Sequence, residues 1–185
     1  THRVGIDPKT RTATAVTAPA GRRLATPDQR VVWDASDPAR AHVVVNTPAT
    51  RAVWGLVGGR QFELGGLGLA VGAVERDYAA VVITTMDGQA IEATSRVLLA
   101  AVGSATNRGM KWNESRTSVG RDWGTGPAEV NGIVAEISLP RGGARVYALD
   151  GRGQRLGEVP ASDGAAKTRF KLGAEQRTLW CEIAW

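Results

Sequence analysis

A chain of 185 residues with 43% hydrophobic and 22% charged side chains has room for one large domain or two small ones, and it excludes disorder and collagen-like repeats. The net charge of +5 is spread thinly, with only Arg22-Arg23 adjacent, so no nucleic-acid partner is expected. No apolar run approaches the about 18 residues of a membrane span, and the single Cys181 rules out an internal disulfide.

Thr1–Pro8 has neither an initiating Met nor an apolar signal segment, so the chain reads as a piece of something longer. Beyond it, short apolar bursts alternate with Gly, Pro, Asp and Asn. Strands are predicted at Arg11–Thr17, Val31–Asp34, His42–Asn46, Ala52–Val57, Gln61–Leu64, Ala79–Met86 and Arg96–Val102. The second half adds Ile133–Leu139, Ala144–Leu149, Gly157–Val159, Thr168–Leu172 and Thr178–Trp185. Asp87-Gly88 has the form of a type I′ turn between Ile83–Met86 and Gln89–Ile91, while Asp150–Gly153 and Ser162–Gly164 mark further reversals. The best helical candidate, Ile91–Ala105, contains the unbroken apolar run Val97–Val102, which reads better as a buried strand. About 12 short strands with little or no helix predict an all-β antiparallel sandwich of jelly-roll or immunoglobulin-like form. Residues 1–185 read as one module, with a soft boundary near 72–78 if it divides.

Little in the chain points to catalysis. His2 and His42 have no metal-ligand spacing, and no nucleophile elbow or phosphate loop occurs. Cys181 shares strand parity with Leu179, Ile183 and Trp185, which marks it as a core residue rather than a nucleophile. Asp7, Asp77 and Asp163 sit in turns of the kind that hold calcium, yet none has the spaced oxygens of a calcium loop, so no cofactor is expected. Trp112-Asn113-Glu114 contains the Asn-Glu pair of many sugar-cleaving (β/α)8 barrels, but a barrel needs about 250 residues and alternating helices. Glu114 therefore reads as a loop residue that pairs with Arg116 or Arg121 or caps backbone donors, and no catalytic residue is expected.

Tryptophan is the informative residue, with six against two each of Tyr and Phe. Parity places Trp33 (with Val31) and Trp185 inward, Trp180 on a more polar face, and leaves Trp54 undecided. Trp112 and Trp123 lie in Gly103–Pro127, the one long segment without apolar alternation, among Lys111, Asn113, Glu114, Arg116, Arg121 and Asp122. Indole faces stack on the C–H surface of a pyranose while amide, carboxylate and guanidinium groups bond its hydroxyls. The same residues also suit a packed Ω-loop or a contact with a neighbouring domain.

Asn107–Glu114, Arg116–Gly120, Trp123-Gly124 and Gly126-Pro127, with Arg177–Trp180, Val45–Thr50 and Gly58–Arg60, carry a resemblance. The chain resembles a C-terminal non-catalytic region of large multidomain, cellulase-like bacterial glycoside hydrolases, over roughly Val31–Trp185. Cys181 stands where that pattern has Tyr. The resemblance implies a secreted β-sandwich attached to an upstream catalytic barrel. The expectation is a monomeric carbohydrate-binding module without activity of its own. It would hold polysaccharide or oligosaccharide on Trp112 and Trp123, with Asn113, Glu114, Arg116 and Arg121 as polar contacts and Trp180 as a second platform. The alternatives are a sandwich that only braces the barrel, or a glycosidase.

Overall fold

The computed structural model describes residues 22–164 and 166–185. The strand predicted at Arg11–Thr17 and the turn residue Asp7 lie outside them. Among the described residues the chain is an all-β sandwich of sixteen strands, interrupted only by short 3-10 turns. These are β1 (Arg23–Ala25), β2 (Val31–Asp34), β3 (His42–Asn46), β4 (Thr50–Leu56), β5 (Gln61–Leu64), β6 (Leu67–Val71), β7 (Tyr78–Thr85) and β8 (Arg96–Val102). The rest are β9 (Ala105–Arg108), β10 (Thr125–Val130), β11 (Ala135–Ser138), β12 (Arg145–Leu149), β13 (Arg155–Val159), β14 (Ala161–Gly164), β15 (Lys167–Leu172) and β16 (Trp180–Ala184).

The expected count of about 12 is low because β1, β6, β9, β10 and β14 lack clear alternation. β6 carries Gly68 within Leu67–Val71, and β9, β10 and β14 have no buried face at all. The Asp87-Gly88 hairpin is also corrected. Gly88 does adopt a positive φ of 74°, but no strand follows at Gln89–Ile91, and the chain re-enters the sheet only at Arg96.

A nine-stranded antiparallel sheet runs β1-β2-β3-β4-β7-β8-β16-β12-β13, and a five-stranded one runs β14-β15-β11-β6-β5. Strands from both sides of residues 72–78 interleave in each sheet, through the β4–β7 and β6–β11 pairings. The core lies between the sheets. Val81 and Ile83 of β7, Val97 and Leu99 of β8, and Cys181 and Ile183 of β16 face Leu69, Ile137 and Phe170 from the smaller sheet. Burial alone pushes the Cys181 thiol up to about 11, as an apolar setting disfavours thiolate.

The outward faces differ sharply. On the five-stranded sheet, β11 and β15 alternate strictly, turning Glu136, Arg169 and Lys171 to solvent. On the nine-stranded sheet, the register aligns Leu24, Trp33, Val43, Trp54, Ala80 and Val102 in one cross-strand row. Val31, Val45, Ala52, Val82, Ala100 and Trp180 form the next. Trp33, expected inward, is therefore on the outer face and 43% exposed. Alternation fixes which residues share a face, not which face meets the core.

Over β16, β12 and β13 the same outer face turns ionic. The Arg155 Nε donates to Glu182 at 2.6 Å, and the Arg96 Nε lies 2.6 Å from the other carboxylate oxygen. These contacts, the Arg155 hydrogen bond first, hold the buried Glu182 carboxyl below its ordinary value. Arg155 also stacks 3.7 Å from the centre of Tyr147.

Candidate functional site

The long Gly103–Pro127 segment leaves the end of β8 as a two-stranded ribbon, β9 with β10, whose tip carries both loop tryptophans. Backbone hydrogen bonds fold that tip on itself: Lys111 to Asp122 at 3.0 Å, Asn113 to Ser118 at 2.9 Å, and Asp122 to Val119 at 2.8 Å. Val119 is the buried anchor beneath it, 7% exposed. Gly124 is required where the ribbon closes. Its φ is +70°, and a Cβ there would meet the Arg108 carbonyl and the Met110 amide nitrogen well inside van der Waals distance.

Trp112 and Trp123 are 37% and 61% exposed, and they line one open cleft of about 550 Å³. Asn107, Met110, Ser118 and Val119 form much of the rest of its wall. The other side of Trp112 is occupied: the Arg76 guanidinium lies 5.0 Å from its ring centre, held by a turn where Arg76 has φ 58°. Arg116 and Lys111 line a second, more polar hollow beside that pair.

The predicted polar contacts divide. Asn113 is committed to the loop itself, its Oδ1 accepting from Thr117 N at 2.8 Å and Ser118 N at 3.3 Å, and its Nδ2 donating to Thr117 Oγ1. Glu114 and Arg121 are exposed and line neither hollow, and the ion pair expected of Glu114 with Arg116 or Arg121 is not formed among the described residues. Trp180 sits apart on the outer face of β16, 40% exposed. Sequence reasoning missed Asn107, whose Nδ2 donates to the Trp123 carbonyl at 3.0 Å, and Met110, Ser118 and Arg76. None sits in an alternating pattern that would have singled it out.

No family model, no curated protein and no solved structure matches this chain.

The chemistry of the cleft rests on its residues alone. No carboxylate lines it, so the paired acids of glycoside hydrolysis have no place there. Among the described residues no three His, Cys, Asp or Glu side chains gather as metal ligands. Asp163 is spent as a turn clamp, accepting from Gly143 N at 2.7 Å and Thr168 Oγ1 at 3.0 Å. A larger groove of about 990 Å³ crosses the outer face of the five-stranded sheet. It offers Glu63, Gln61 and the Lys171–Glu136 ion pair but no indole. Two indole faces with hydroxyl and thioether neighbours suit a ligand that is apolar in its plane and polar at its rim.

Proposed function

We propose that this domain binds polysaccharide without cleaving it, by stacking sugar rings on Trp112 and Trp123. The single supporting observation is that both indoles stand exposed on the walls of one cleft. Asn107, Thr117 and Ser118 are the polar groups that line the cleft with the indoles, and Arg116 and Lys111 line the hollow beside it. The resemblance to accessory regions of glycoside hydrolases favours a role outside the cell, attached to a polysaccharide-degrading enzyme. Affinity electrophoresis through gels containing different glycans tests this. Retardation by at least one glycan, lost in Trp112→Ala and Trp123→Ala with an unchanged circular dichroism spectrum, is the expected result. Loss of the folded spectrum in both variants, or no retardation by any glycan, would refute it.

A second reading, a packing domain, is favoured by a different observation: the apolar outer face of the nine-stranded sheet, with Trp33, Trp54 and Trp180 on it.

A further inference from the structure

The central strands β7 and β8 are apolar on both faces, in the segments Ala79–Ile83 and Val97–Val102. Such near-continuous runs belong to strands covered on both sides, whereas antiparallel strands facing water alternate, as β11 and β15 do here. One half of this outer face is already settled by the Arg96–Glu182–Arg155 ion pairs. The other half, about a dozen apolar side chains on β1–β4, β7 and β8 with Trp180 of β16, has no partner among the described residues.

We propose that this face is covered by a second copy of the chain, sheet against sheet. The register carries the argument. A two-fold axis parallel to the strands, between β4 and β7, lays β4 of each copy over β7 of the other, β3 over β8, and β2 over β16. That arrangement sets Trp54 over Ala80, Val45 over Ala100, and Trp180 over Val31. Trp54 and Trp180 each meet a smaller side chain, and Val43 meets Val102 of like size, so one surface is complementary to itself, as a two-fold interface demands. Strands in the two copies stay roughly aligned, the usual geometry of packed sheets.

The area agrees. With about 4.8 Å between strands and about 6.8 Å between same-face residues, each side chain covers roughly 33 Å², and the field about 400 Å². That is about the apolar share of a standard interface of about 800 Å² per partner, with polar surroundings supplying the rim. The face offers a glycan few polar partners: the Thr50 and Thr84 hydroxyls, 2.8 Å apart, already share one hydrogen bond.

The inference deepens the packing reading and is independent of sugar binding in the loop. Sedimentation velocity of the chain at micromolar concentration tests it. The expected result is twice the monomer mass, with Trp54→Lys and Ala80→Arg, which alter opposite sides of one contact, each giving monomer and an unchanged circular dichroism spectrum. Lys171→Ala, on the other sheet, leaves the dimer intact, as do Trp112→Ala and Trp123→Ala. A monomeric native chain would overturn the proposal, including one that gains mass only when another protein is added. So would a dimer that persists in whichever of the two face variants folds.

Discussion

Replacing the two loop tryptophans singly gives a graded prediction, because their exposures differ. A Trp side chain carries up to about 250 Å², so exposures of 37% and 61% leave roughly 90 Å² on Trp112 and 150 Å² on Trp123. A flat sugar covers about half of what is free. At about 25 cal/mol per Å², the contact stabilises the complex by about 1.2 kcal/mol at Trp112 and about 1.9 kcal/mol at Trp123. Trp112→Ala then weakens binding about 7-fold and Trp123→Ala about 25-fold. The order follows from Arg76, which already occupies one side of Trp112 at 5.0 Å. Isothermal titration with a soluble oligosaccharide that retards the native chain measures both. Equal losses, or a larger loss at Trp112, would show that exposed indole area does not govern affinity here. Arg76→Ala supplies the converse: it frees a face of Trp112 and narrows the gap between the two variants.

Gly124→Ala forces a positive φ on a residue with a Cβ and drives that atom into the Arg108 carbonyl, so the ribbon tip opens; glycan binding is lost while the melting temperature falls by only a few degrees. Glu182→Gln removes the charge shared by Arg96 and Arg155 and costs about 1–3 kcal/mol at neutral pH by thermal or denaturant melting. Glu182 has a folded pKa below its ordinary 4.5, so its contribution is complete above that value and is lost as pH falls through the lower folded one. The native chain therefore loses stability in that acid window more steeply than the Gln variant does. Cys181, buried and with its thiol raised to about 11, stays unreactive toward a disulfide reagent at pH 8 until the sandwich is unfolded.

The fold class was legible because short apolar segments stand between turn residues: the unbroken runs Ala79–Ile83 and Val97–Val102 and the alternating Thr168–Leu172 each declare a strand. Where both patterns are missing the reading fails. β10 is exposed along its length and β9 is only half-buried at Thr106 and Asn107; the two are held by pairing with each other, a long-range contact that leaves no periodic trace. Trp33 shows a subtler failure. Its parity with Val31 is real, but β2 lies near the edge of a sheet that outruns its five-stranded partner, so large apolar residues can face outward. In the candidate site, clustering of Trp112 and Trp123 was visible from their shared loop. The commitment of Asn113 to Thr117 and Ser118 was not, since an Asn four residues before a Thr announces a ligand contact and a loop brace equally.

The loop and the apolar face have a geometric relation that makes the two proposals testable together. β8 runs from Arg96 to Val102, and the ribbon continues from its Val102 end, the end that also holds the Trp54–Ala80 row and the Arg76 turn. A two-fold axis parallel to the strands keeps that end of both copies on the same side. Two clefts would then open together, and a long glycan could occupy both at once. Linked sites of this kind multiply retention by 10² or more without any new contact, provided the spacing is bridged. Trp54→Lys, at a residue that does not line the cleft, should leave the affinity for a short oligosaccharide unchanged. It should sharply lower retention on insoluble polysaccharide. A variant that loses both equally would place the effect of Trp54 on the fold of the loop rather than on the pairing of clefts.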